Sequence, residues 1–214
     1  ALPHVKTRDV PGSALGHALH EVQDRRAKGL PLDLDAIADR HAVPADDRGW
    51  YFATARRCLP VITPEAYSEI ALAYNPETGR VDRINPPDAS HRYDVPSTWL
   101  PGTIDLAWVE GAIACAADYK SGNEDNVPHP DRNPQVRIGA FMWARFTGQT
   151  RALGSICYLE PSPEGETNEG RWEMGTPYDS AGLDAIEAEL RDVLHRVETA
   201  RFDVAAGAVP ELVT

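Results

Sequence analysis

Hydrophobic residues recur along this chain with two periods, and the change from one to the other separates helices from strands. Between Gly12 and Gly29 they fall at Leu15, Leu19 and Val22, the spacing of one helix face. Ser13 is placed to cap that helix and Gly29 to end it. Asp33–His41 and Asp46–Cys58 carry two further helical patterns, the second stopped by Pro60. From Ala66 onward the period drops to two. Tyr67–Tyr74 and Gly79–Ile84 predict strands joined by a turn at Asn75-Pro76-Glu77-Thr78, and the proline-rich Asn85–Pro101 predicts a loop.

Gly102–Val109 and Gly111–Lys120 then predict a hairpin turning at Glu110-Gly111. In that register Ala116 faces Asp105 and Thr103 faces Asp118. The two aspartates become diagonal neighbours on one face, roughly 7–8 Å apart at the backbone. Alternation puts Asp118 and Lys120 on the face of Ala114 and Ala116. After a polar loop, Ser121–Asn133, Pro134 opens a helix through Phe146 that Gly148 stops. Arg151–Glu160 predicts a strand, Pro161–Gly170 a loop and Arg171–Met174 a short strand. Leu183, Ile186, Leu190, Val193, Leu194 and Val197 predict an amphipathic helix over Ser180–Phe202. This order reads as a single mixed α/β (α+β) domain over residues 1–214. Its central mixed sheet is flanked by helices, with extra N-terminal helices and a C-terminal one.

Composition adds limits. Of 214 residues, 42% are hydrophobic, enough for one real core. No apolar run approaches the roughly 18 residues of a membrane span, and no secretory signal is recognisable. Cys58, Cys115 and Cys157 are odd in number and widely spaced, which reads as free thiols in a reducing compartment, the cytoplasm. Net charge is −12, unevenly spread: residues 1–60 carry nine Lys/Arg against eight Asp/Glu, leaving twelve against twenty-five beyond. Such a balance gives no long-range steering toward a polyanion. It argues against a tight non-specific DNA binder, though not against a nuclease. Arg25, Arg26, Lys28, Arg40, Arg48, Arg56 and Arg57 form the phosphate-facing candidates. Trp50, Tyr51 and Phe52 beside them read as core, with base stacking as the alternative.

Asp105, Asp118 and Lys120 carry the chemistry. A surface hairpin with solvated charges is the bland alternative, but small apolar residues surround these three. Two carboxylates converging on one face suit a hard cation that takes its remaining ligands from water and substrate phosphate. Such a cation polarises a phosphoryl oxygen and lowers the pKa of bound water. A neighbouring lysine can deprotonate that water or stabilise charge on the phosphate, and both roles stay open.

Gly102-x-x-Asp105 followed by Asp118-Tyr119-Lys120-Ser121-Gly122 resembles the core motif of the PD-(D/E)XK nuclease superfamily, in its RecB-like exonuclease branch. Gly16-His17-Ala18-Leu19-His20 resembles the Gly-x-x-x-His of that branch's first helix, whose histidine ligates metal; His17 reads as packing. Ser68-Glu69 resembles an acidic strand position ahead of the core motif. Asn133-Pro134-Gln135 resembles the glutamine motif that opens the helix after the hairpin. The resemblance covers about residues 12–160 and implies a restriction-endonuclease-like αβββαβ core, with residues 161–214 adding a strand and helix.

The resemblance implies a metal-dependent deoxyribonuclease, of exonuclease type, acting on DNA ends or single strands. Asp105 and Asp118 would ligate Mg²⁺ or Mn²⁺, the Tyr119 carbonyl and His20 completing the set. Lys120 would assist the water, with Gln135 and Glu69 in the same site. A protein partner in a replication, recombination or phage/defence pathway is also implied. The family's glutamine motif continues to a tyrosine four residues on, where this chain has Gly139; its nearby aromatic is Phe141. The three scattered cysteines cannot make the four-cysteine iron–sulfur cluster of some relatives. Residues 206–214 resemble the run before such a cysteine segment, so a trimmed sequence is expected. A structure-specific endonuclease and a non-catalytic acidic module that binds protein or mimics DNA are the alternatives.

Overall fold

The computed structural model describes residues 11–57, 65–85, 92–120, 127–159 and 171–205. Three helices lead: α1 (Pro11–Ala27), α2 (Leu34–Arg40) and α3 (Arg48–Arg57). Gly29, at φ +62°, ends α1, and the Leu30 amide reaches back to the Arg25 carbonyl. A glycine permits that left-handed closure. Asp33 caps α2 by accepting from the Ala36 amide. α3 begins two residues later than the pattern predicted, because Ala45–Asp47 forms a turn of 3-10 helix. Its expected last residue, Cys58, lies outside the described residues, as do Ser121–Asn126 and the whole of the predicted 161–170 loop.

Tyr67–Tyr74 (β1), Val81–Arg83 (β2), Leu100–Glu110 (β3), Ile113–Lys120 (β4), Ala152–Tyr158 (β5) and Arg171–Met174 (β6) form one mixed sheet. Its order is β2–β1–β3–β4–β5–β6. Only β4 and β5 run parallel among these neighbours. Parallel neighbours need a long crossover, which α4 (Pro134–Thr147) supplies. Asn133 caps α4 by accepting from the amides of Gln135 and Val136, and Gly148 ends it at φ +71°. α5 (Ser180–Ala205) runs three residues past its predicted end.

Each face of the sheet has its own core. Ile70, Leu72, Ile104 and Ala116 pack with Phe141, Met142, Leu183 and Ile186 under α4 and α5. Leu106, Ala117, Tyr119 and Cys157 pack with Leu19, Ile37 and Tyr51 under the first three helices. Cys115 and Cys157 are buried and in no disulfide among the described residues. Burial, reinforced by the Glu110 charge, pushes the Cys115 thiol up to about 11. No described helix is long and apolar enough to cross a membrane.

The predicted hairpin is corrected by one residue. Glu110 pairs with Ile113, so the turn is Gly111-Ala112, with Gly111 at φ +59°, rather than Glu110-Gly111. Glycine tolerates the positive φ that a two-residue hairpin turn demands. The shift moves the register by two residues. An even shift leaves the pairing of the two strands in phase, but it brings Asp105 level with Asp118 instead of diagonal to it.

Candidate metal centre

Three carboxylates stand abreast on three neighbouring strands. Between β1 and β3 the register passes from Ser68–Leu106 to Ile70–Ile104, leaving Glu69 and Asp105 opposite each other in the gap. The β3–β4 register, extended one step beyond Leu106–Ala117, sets Asp118 in the same row. The pleat reverses at this row. Residues two apart on a regular strand share a face, yet Ile104 packs under α4 while Leu106 packs under α1. Glu69 itself adopts φ +50°, a left-handed backbone uncommon outside glycine. By that kink its carboxylate reaches α1.

His20 on α1 meets it there. Its Nδ1 lies 2.8 Å from Glu69 Oε1 and 3.6 Å from Asp105 Oδ1. One donor atom from each of His20, Glu69 and Asp105 falls within 4.8 Å of the other two. Burial opposes a charge on the imidazole. The Glu69 hydrogen bond and the carboxylates of Asp105, Glu69 and Asp118 outweigh it, lifting His20 to about 9. Asp105 is 7% exposed. Burial, with Asp118 and Glu69 adding like charge, pushes its carboxyl above the usual range against the pull of His20. The Tyr119 amide donates a 2.7 Å hydrogen bond to Asp105 Oδ2 and fixes that carboxylate's orientation.

Asp118 is 5% exposed and is also pushed upward by burial, against the opposing charge of Lys120. Its Oδ2 makes no hydrogen bond of good geometry, but Lys120 Nζ lies 2.6 Å away as an ion pair. The same Nζ donates to Gln135 Oε1 at 3.4 Å. Lys120 thus links the row of acids to the first turn of α4. A small cleft lies between Asp105 and Asp118 on one wall and Gln135, Val136 and Gly139 on the other.

All seven residues singled out from the sequence lie in this neighbourhood, with their roles redistributed. Glu69 stands closer to His20 than either aspartate does, whereas Asp118 turns to Lys120. Tyr119, expected to offer its carbonyl, contributes its amide to Asp105 and its ring to His20, the rings meeting edge-on at 5.6 Å. His17 is exposed, and its ring stands 6.3 Å from that of His41. Phe141 does not replace the tyrosine missing at position 139. It is fully buried, edge-on to Tyr74 at 5.4 Å.

The basic set read as phosphate-facing is largely engaged inside the N-terminal helices. Arg25 and Arg40 bond Glu21, Lys28 bonds Asp24, and Arg48 bonds Asp39. Arg26 donates to the Ala55 carbonyl. Arg56 is exposed, with its guanidinium 5.6 Å from the centre of the Phe52 ring. The side chain of Arg57 lies outside what the structure describes. These charges pair at i,i+4, across α1–α2 or across α2–α3, a competition that charge counting along the chain does not register. Sequence reading also missed Gly139 and Val136 as cleft walls; the position of Gly139 one turn after Gln135 was the available signal.

Comparison with protein-family models, with curated proteins and with solved structures finds no significant match to this chain. The residues therefore carry the argument alone. Carboxylates with one imidazole are the donor set of a hard divalent cation such as Mg²⁺ or, favoured by the nitrogen, Mn²⁺. Two buried aspartates with raised pKa values are groups whose charge such an ion would compensate.

Proposed function

We propose that this chain is a metal-dependent deoxyribonuclease of restriction-endonuclease-like fold that hydrolyses phosphodiester bonds, working in an exonuclease manner. One observation carries the reading: His20, Glu69 and Asp105 converge on one point, and Asp118 beside them is ion-paired to Lys120 at 2.6 Å. His20, Glu69, Asp105 and Asp118 would hold Mg²⁺ or Mn²⁺. When bound, the ion supplies Lewis-acid polarisation of a phosphoryl oxygen and a lowered pKa for coordinated water.

The remaining work falls to the chain. Tyr119 N–H keeps Asp105 aimed at the centre. The ion pair with Asp118 holds Lys120 beside the cleft, where it offsets charge growing on the phosphoryl oxygens as water adds to phosphorus. The bond to the leaving oxygen then breaks, and the proton the water loses is balanced by one taken up on that oxygen, giving a phosphate at one end and a hydroxyl at the other. Gln135, exposed at the start of α4, lies where substrate meets the cleft. The charge balance favours a second reading, a non-catalytic acidic module, because net charge is −12 and several N-terminal cations are neutralised internally. A structure-specific endonuclease would use the same site.

The deciding assay uses end-labelled linear and circular DNA, single- and double-stranded, with Mg²⁺, Mn²⁺ or EDTA. Metal-dependent cleavage lost in Asp118→Asn supports the proposal, and loss of linear substrate alone supports the exonuclease form. Equal cutting by Asp118→Asn overturns the assigned site. Binding of DNA or protein without any cleavage favours the acidic module.

A further inference from the structure

The cleft beside the aspartates continues as a second recess along α4. Leu100 and Ile104 of β3 form one side, Ile138 and Met142 of α4 the other, and Gln135 stands at the mouth. The recess holds about 170 Å³. Gly139 is common to both recesses and lies where they join.

Packing does not require a glycine there. A Cβ at position 139 would meet Ile104 Cγ1 at 3.5 Å, ordinary contact. Gly154 is the contrast: a Cβ there would strike Val136 Cγ1 at 2.5 Å, so close strand–helix packing demands glycine. Gly139 sits in the middle of α4, where glycine is the poorest helix former after proline. What its missing side chain preserves is the open connection between the acidic cleft and the apolar recess.

We infer that Gly139 keeps open a slot for one unpaired nucleobase, that of the nucleotide next to the phosphate held at the acidic row. This rests on the nuclease reading and adds a substrate feature to it. The occupant is argued from what the recess joins and offers. A group entering it must be covalently close to a phosphate at Asp105 and Asp118, because the two recesses share Ile104, Gln135 and Gly139. Apolar walls suit the two faces of a base, while the Gln135 amide offers a donor and an acceptor to its polar edge. A base stacked in a duplex cannot enter without leaving its partner. The slot therefore makes the enzyme one for single strands or frayed ends.

The test is a binding scan on the full chain loaded with Ca²⁺. Short single-stranded deoxyoligonucleotides, each with one abasic residue at a successive position, are titrated by fluorescence anisotropy. Wild type should lose at least about tenfold in affinity at one position and little elsewhere, a loss expected for a single base contact. Gly139→Leu should bind the intact strand as weakly as wild type binds the sensitive abasic strand, and should ignore the scan. Gly139→Ala should fall between wild type and Gly139→Leu, because its Cβ narrows the junction at Ile104, and Ca²⁺ affinity should match in all three. A flat wild-type scan overturns the slot, as does a Gly139→Leu protein that keeps the positional sensitivity. The wild-type scan needs no variant, so a misfolded Gly139→Leu leaves the test standing. Metal-dependent cleavage with a flat scan removes the slot alone; base-sensitive binding without cleavage removes the nuclease reading alone.

Discussion

His20 Nδ1 and Glu69 Oε1, 49 residues apart in the chain, lie 2.8 Å from each other. Helix α1 and strand β1 are locked at that point, and the imidazolium stands among Glu69, Asp105 and Asp118. Without a metal, the histidine proton supplies the positive charge that three close carboxylates need. A cation bound by His20 must displace that proton.

Metal affinity should therefore rise with pH. His20 is lifted to about 9 by the Glu69 hydrogen bond and the surrounding carboxylates, so binding at pH 7 should release a proton. Calorimetry of Mn²⁺ binding in two buffers of different ionisation enthalpy reads this directly. Equal apparent enthalpies would remove His20 from the ligand set. For the metal-free fold the sign is fixed by linkage. A raised folded pKa gives stability that is complete below about 6.5 and is lost as pH rises through about 9.

Asp105→Asn should leave the metal-free protein as stable as wild type or more so at pH 8, while abolishing the rise in Tm that Mn²⁺ gives. Burial raises the Asp105 pKa, so its ionised form costs stability once pH exceeds the unfolded value near 3.9. An amide of the same shape removes that cost together with the ligand. A large fall in metal-free Tm would mean that the carboxylate is structural.

Glu69→Gly should be more stable than Glu69→Ala by about 1 kcal/mol, the reverse of the usual order in a strand. Both variants lose the carboxylate, but only glycine relieves the φ of +50°. Chemical denaturation of the pair measures the difference. Alanine as the more stable of the two would mean that position 69 is ordinary strand backbone.

Much of this was legible in the sequence. Period-two alternation placed β1, β3 and β4, and Pro134 and Gly148 bracketed α4. The Gly111-Ala112 turn was missed because Glu110-Gly111 and Gly111-Ala112 differ by one residue and keep the same alternation. The kink at Glu69 left no trace in the pattern, since it depends on a tertiary partner, His20, rather than on local propensity. Charge pairing inside the N-terminal helices was hidden for the same reason, Arg40 meeting Glu21 across 19 residues.

Lys120→Met should separate binding from turnover. The lysine contacts Asp118 and Gln135 but stands outside the trio of His20, Glu69 and Asp105. Mn²⁺ affinity should change less than threefold, while cleavage falls by about 10²-fold or more, the scale of losing one preorganised electrostatic group. Parallel loss of both would make Lys120 a scaffold for the ligands, not a participant in the reaction.

The central claim is that the acidic row is a divalent-cation site, and a Mn²⁺-soaked crystal examined by anomalous diffraction tests it most directly. The account predicts one strong peak within about 2–2.5 Å of His20 nitrogen and of oxygens from Glu69 and Asp105, with Asp118 alongside. A peak elsewhere, with His20 still bonded to Glu69 at 2.8 Å, would contradict it.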